Sequence, residues 1–212
     1  MLTTPSSPPP ATSPHEGSRG RRDRHRRLHR PAHLENAKWI WVREAHSPDN
    51  TFIYARKQLT LRAKPASATI SVAADSRYKL YINGKYVGKG SVPPGIGYTF
   101  FDTHDVTGLL DKGDNVIALL AHYSGEYAGR PSHPGVLCQA SIELPNENIT
   151  ITTDETWRVL SAPDWSSGAR IGEGLGFQEV YDARAAQDGW NNVKFRDRDW
   201  EDATVVAPSG AL

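Results

Sequence analysis

From Arg77 to Gly88 the chain reads Arg-Tyr-Lys-Leu-Tyr-Ile-Asn-Gly-Lys-Tyr-Val-Gly. Tyr78, Leu80 and Ile82 alternate with Lys79 and Tyr81, the period of two that lays one side of a strand against a core. Asn83-Gly84 follows at once, a pair that readily takes the positive φ angles of a tight hairpin turn. Lys85 to Gly88 then returns as the partner strand. A second block, Phe101 to Leu119, reads as a strand, a short turn with Leu109-Leu110 tucked in, a Gly113-Asp114-Asn115 turn and another strand. Both blocks commit the chain to antiparallel pairing.

The rest of the pattern agrees. Order is expected to begin near Ala37-Lys38-Trp39-Ile40-Trp41-Val42. Strands are predicted over residues 52–61, 68–74, 136–144, 149–153, 157–160 and 177–182, with Lys64-Pro65-Ala66 and Pro145-Asn146-Glu147-Asn148 as turns. Asn115 to Tyr123 is a nearly continuous apolar run, which places it centrally in a sheet. No long helical period and no internal repeat appear. Many short strands separated by turn chemistry indicate two antiparallel sheets packed face to face.

Charge is unevenly spread. Residues 1–33 hold seven arginines against Glu16 and Asp23, so the tail carries +5 and a formal net charge of +1 leaves −4 for residues 34–212. The tail is Pro/Ser/Thr-rich to Pro14 and Arg/His-rich beyond, with too few apolar residues to offset the entropy of ordering it, so it is expected to be disordered. A mildly acidic body does not suit nucleic acid and does suit neutral ligands such as sugars. The single cysteine, Cys138, lies in an apolar strand pattern and excludes an internal disulfide; it reads as a small buried hydrophobe. No run has the ~18 apolar residues of a membrane span. The N-terminus has no apolar leader segment, so the chain as written is expected to be cytoplasmic, or else to lack its leader. Asn148-Ile149-Thr150 matches a glycosylation sequon, a pattern frequent by chance.

Four landmarks then stand together: Ala37-Lys38-Trp39-Ile40-Trp41 with Phe52 to Lys57; Ala74 to Gly84 with Val87-Gly88; Asp105-Val106-Thr107 with Leu109-Leu110, Gly113 and Asn115-Val116-Ile117; and Thr153 to Trp157 with Glu179-Val180-Tyr181-Asp182-Ala183-Arg184, Gly189-Trp190 and Asp199-Trp200. In this order they resemble the N-terminal β-sandwich domain of bacterial α-L-rhamnosidases, within the galactose-binding-like superfamily, over about residues 37–206. The resemblance implies an all-β antiparallel jelly-roll sandwich over residues 34–212. It also implies a partner, the catalytic α/α toroid, normally in the same polypeptide, whose carboxylates cleave the rhamnosyl bond with inversion. This chain is expected to be the accessory domain without that toroid, inactive alone, with rhamnose-containing glycans as ligands and no cofactor. The alternatives are the sugar-binding domain of a β-galactosidase-type hydrolase, and a stand-alone adaptor binding through its Arg-rich tail.

A sugar needs an apolar face for its C–H groups and planar polar groups for its hydroxyls. The densest such segment runs from His122 to His133: His122, Tyr123, Glu126, Tyr127, Arg130 and His133 are the candidate ligand-binding residues, with Tyr98 beside them. The same segment serves equally as a surface that docks on the catalytic domain. Trp165, placed on a loop, is the tryptophan expected as a sugar platform; Trp39, Trp41, Trp157, Trp190 and Trp200 are expected to plug the core and sheet edges. An inverting glycosidase needs two carboxylates ~6.5–9.5 Å apart across the sugar. Glu126, Glu143, Glu173, Glu179 and Asp182 read instead as loop and turn partners, so no catalytic residue is assigned. In some members of the resembling family a similar domain holds rhamnose through calcium, using Asp and Asn in the loop after the hairpin. Here that loop, Ser91 to Phe100, has no Asp, Asn or Glu, and calcium favours carboxylate-rich oxygen sets. Asp111, Asp114 and Asn115 read as a turn. His104, His122 and His133 lack the short spacing of a zinc site. No metal is expected.

Overall fold

The computed structural model describes residues 34, 36–43, 49–90, 100–125, 133–172 and 176–206. The tail of residues 1–33 lies outside them. In chain order the strands are β1 (Ile40–Trp41), β2 (Thr51–Leu61), β3 (Ser67–Asp75), β4 (Arg77–Ile82), β5 (Lys85–Gly90), β6 (Asp102–Asp105), β7 (Gly113–Tyr123), β8 (Gly135–Glu143), β9 (Asn148–Thr152), β10 (Arg158–Ser161), β11 (Trp165–Gly172), β12 (Gly176–Tyr181), β13 (Glu201–Asp202) and β14 (Thr204–Val205). Every pairing between them is antiparallel.

One sheet runs β14-β1-β8-β3-β6, with β9 also paired to β8; the other runs β13-β10-β2-β7-β4-β5; β11 and β12 form a separate hairpin. From β2 to β8 the chain passes repeatedly between the two sheets, which is consistent with the expected jelly roll. The all-β antiparallel sandwich read from the sequence is the fold observed, and the apolar run ending at Tyr123 is central, flanked by β2 and β4.

Strand alternation builds the core. Ala68, Ile70, Val72 and Ala74 of β3 and Val136, Cys138, Ala140 and Ile142 of β8 face Ile53 and Ala55 of β2, Tyr78, Leu80 and Ile82 of β4, and Ile117, Leu119 and Ala121 of β7. Trp41 and Trp157 are fully buried among them, and the Trp157 indole N–H donates to the Thr152 carbonyl at 2.8 Å. Burial pushes the Cys138 thiol up, away from thiolate chemistry.

The two blocks conspicuous in the sequence lock together. Asn83 (φ 51°) and Gly84 (φ 82°) form the hairpin turn. The Asn83 side chain accepts from the Val116 N–H at 2.8 Å and donates to the Leu109 carbonyl at 2.9 Å and to Asn115 Oδ1 at 2.8 Å. Fully buried Asn115 in turn donates to the Asp111 and Gly113 carbonyls at 2.7 and 2.8 Å. At the far end of the hairpin, β6 crosses closely over β5. A Cβ on Gly90 would lie 2.8 Å from the Tyr78 ring, whose hydroxyl bonds Asp102 and His104, each at 2.9 Å. That seam joins the two sheets.

A second apolar cluster covers the outer face of the β2–β7–β4 sheet. Phe52, Tyr54 and Leu120 point away from the main core and meet Ala162, Trp165, Trp190, Phe195 and Trp200 from the C-terminal third. Beneath it lies Arg56, whose side chain is 0% exposed. Its guanidinium donates to Asp197 Oδ2 at 2.5 Å and to the Phe195 and Asn192 carbonyls at 3.3 and 3.0 Å, and it stands 5.3 Å from the Phe195 ring.

A candidate carbohydrate cleft on the outer sheet face

A cavity of about 390 Å³ opens on that outer face, lined by Phe52, Arg77, Tyr78, Lys79, Lys89, Gly90, Leu120, His122 and Glu179. Two cross-strand rows make it. Phe52 pairs with His122, and His122 with Arg77, across β2, β7 and β4. In the next outward row Tyr54 pairs with Leu120, Leu120 with Lys79, and Lys79 with Lys89 of β5. Glu179 comes from β12.

The aromatic wall is continuous. His122 stacks on Phe52 with ring centroids 4.0 Å apart and planes 13° from parallel; Phe52 stacks on Trp165 at 4.7 Å; Trp165 meets Tyr181 at 5.0 Å. Lys79 Nζ lies 5.4 Å from the Trp165 ring. Asn50 donates to the Gln178 carbonyl at 3.3 Å, so its Oδ1 accepts from His122 Nε2–H at 2.9 Å. Burial, and then the nearby Arg77 charge, lower the His122 pKa to about 4. His122 is therefore a neutral donor at pH 7. Further along the wall, the Tyr54 hydroxyl donates to buried Asp164 at 2.5 Å; burial, with that carboxylate beside it, pushes the phenol up.

The structure redistributes the residues expected at the site. His122 and Tyr123 end β7, within the central strand expected from Asn115 to Tyr123. His122 reaches the cavity, whereas Tyr123 points the other way into the main core and has no free ring face for a sugar. Trp165, expected on a loop, is the first residue of β11, and its ring braces Phe52 rather than lining the cavity. His133 is exposed. Tyr98, Glu126, Tyr127 and Arg130, and the loop of residues 91–99, lie outside the described residues. Among the described residues no cluster of three or more His, Cys, Asp and Glu is placed to hold a metal ion, and no helix is long and apolar enough to cross a membrane.

Phe52, Arg77, Lys79 and Lys89 line the cavity without standing among the candidates of the sequence, and Glu179, read there as a loop or turn partner, joins them from β12. Arg77 and Lys79 were visible as the polar positions of an alternating strand, which say nothing of what the outward face meets.

Residues 63–212 match the family described as the α-L-rhamnosidase N-terminal domain. An α-L-rhamnosidase of Formosa agariphila is 28% identical over 164 residues, 70% of this chain and 17% of that protein. One of Streptomyces avermitilis is 31% identical over 152 residues, 65% of this chain and 14% of its own length. The chain thus spans a minor part of the curated relatives it matches. Among solved structures, a GH78 family rhamnosidase of Bacillus sp. GL1 is similar at a TM-score of 0.69 and 30% identity, over 82% of this chain and 18% of that one. A lectin of Pleurotus ostreatus, solved in complex with GalNAc, shares the fold at a TM-score of 0.56 and 23% identity, over 82% of this chain and 42% of the lectin.

Proposed function

The chain belongs to the α-L-rhamnosidase N-terminal domain family, and on that premise we propose that it is a non-catalytic accessory domain of an α-L-rhamnosidase that holds carbohydrate in the outer-face cavity, beside a catalytic α/α toroid. One observation carries this reading. Glycoside hydrolysis uses a pair of carboxyl groups flanking the scissile bond, and among the described residues the cavity is lined by a single one, Glu179. Two further carboxylates that meet residues of this face are engaged by tyrosine hydroxyls: Asp102 by Tyr78 and Asp164 by Tyr54. What remains is a cleft with an aromatic wall and polar groups at its rim, which binds and orients without cleaving.

The purified chain is expected to release no product from aryl rhamnosides while showing saturable amide NMR shifts around Phe52 and His122 with rhamnose-containing oligosaccharides. Turnover that disappears in Glu179→Gln would overturn the non-catalytic reading. A lone small sugar buries little area, so affinity near the millimolar scale, about −4 kcal/mol, is expected.

A second role is supported by a different surface. Tyr86 on the edge strand β5 is 55% exposed, and Phe100 and Phe101 are 49% and 40% exposed. Exposed aromatics suit a protein surface, here the catalytic domain. Loss of Tyr86 solvent accessibility on adding that domain in trans is the expected result; unchanged accessibility would remove this role.

A further inference from the structure

The charges around the cavity are mostly of one sign. Arg77 and Lys79 sit two residues apart on one face of β4, and Lys79 lies directly opposite Lys89 on β5. Like charges directly opposite on neighbouring strands repel and destabilise the pair. Among the described residues, no ion pair engages Arg77, Lys79 or Lys89. Three cations thus line one concave site, Glu179 being the sole carboxylate among the described residues that line it, in a body whose formal charge is negative. His122 on the cavity floor is kept neutral by burial first and by the Arg77 charge second.

We propose that this cavity binds an acidic sugar, with the carboxylate of a uronate residue held by Arg77, Lys79 and Lys89 and its ring seated beside Phe52 and His122. The inference rests on the carbohydrate-binding reading above and narrows its ligand class. Guanidinium and ammonium donors make charge-assisted hydrogen bonds to a carboxylate, Arg in a two-pronged geometry and Lys as a point charge. A neutral sugar leaves the Lys79–Lys89 repulsion in place; a uronate removes it. Glu179, from β12, suits the hydroxyls.

The test uses the whole chain, titrated in parallel with glucuronate, galacturonate, L-rhamnose and acetate, followed by amide NMR and calorimetry at low and high salt. Uronate binding roughly tenfold tighter than rhamnose, weakened by salt, is expected, as one charge-assisted contact provides. The variant Lys89→Gln, which leaves the Lys79–Trp165 contact in place, is expected to weaken that preference several-fold while its unfolding midpoint stays the same or rises, because a repulsion has been removed. Equal affinity for uronate and rhamnose would overturn the acidic ligand and leave carbohydrate binding standing. No binding of any sugar would sink both. Acetate binding as well as the uronates would overturn the sugar part. A fall in that variant's midpoint with the preference unchanged would show that Lys89 serves only to protect a sheet edge and would overturn the acidic ligand.

Discussion

Arg56 is a fully buried cation. The two terminal nitrogens of its planar fork donate to Asp197 and two carbonyls, all from a segment about 140 residues away, its buried Nε has no hydrogen-bond partner among the described residues, and Phe195 and Trp200 flank it. Desolvation lowers its pKa, while Asp197 acts to keep it charged. Removing one partner of a buried pair leaves the other uncompensated, so Arg56→Ala is expected to cost about 3 kcal/mol, and Arg56→Lys to recover little, since an ammonium cannot reproduce the fork. Urea denaturation checks both; a loss below about 1 kcal/mol for Arg56→Ala would mean that Asp197 finds solvent instead. His122 supplies a second residue-scale outcome. Its pKa falls from 6.5 to about 4 in the folded state, so the unfolded chain binds the extra proton. The contribution is fully present above pH ~6.5 and is lost as the pH falls toward 4, up to about 3 kcal/mol. His122→Gln is expected to flatten that window of the stability–pH profile; an unchanged difference between pH 7 and pH 4 would show that His122 is solvated. Neither role was legible in sequence. Arg56 stood in a landmark as one more polar position, because Arg is seldom fully buried, and its partners are distant along the chain.

At the scale of strands, sequence served well wherever alternation was strict. The hairpin, β2, β3, β7 and β8 all stand where period and turn chemistry put them. Gly84 carries the sharpest consequence. At φ 82° a β-branched side chain is strained, and a Cβ there would also meet the Asn192 side-chain oxygen, a neighbour able to swing away. Gly84→Val is therefore expected to destabilise by about 1 kcal/mol or more through backbone strain, read as a lowered denaturation midpoint. An unchanged midpoint would remove the positive φ from the account. Two features escaped the pattern. β11 begins Trp-Ser-Ser-Gly-Ala, residues that signal a turn, and only its pairing with β12 and the Trp165–Phe52 stack make it a strand. In the β4–β5 hairpin a regular count outward from Asn83-Gly84 sets Lys79 against Gly88. A bulge between Leu80 and Tyr81 shifts the register and sets it against Lys89 instead. That one-residue irregularity builds the cationic rim, and nothing in the local composition announces it.

For the molecule as a whole, the two layers were readable because each strand carries its own half of the core. The covering of the outer face was not, because it depends on residues 160–200 returning to strands near residues 52–56 and 120. The N-terminal end poses the same question with an answer that can be argued. Leu34 and Ala37 pack on a small cluster of Trp39, Ala73 and Leu137 against the outside of the other sheet. The Lys38 N–H donates to the Thr153 carbonyl at 2.9 Å, and the Val206 N–H to the Trp39 carbonyl at 2.9 Å. Residues 1–33, by contrast, combine seven arginines with proline and serine runs, a composition that buries little apolar area. Deleting residues 1–33 is expected to leave the unfolding midpoint unchanged. Deleting residues 1–39 removes a buried tryptophan and both backbone bonds, and is expected to cost about 3 kcal/mol or more. Thermal and urea unfolding of the two truncations separate the cases: a large drop for the shorter deletion would mean that the basic tail packs on the sandwich, and no drop for the longer one would mean that the Trp39 cluster contributes nothing to holding β14 against β1.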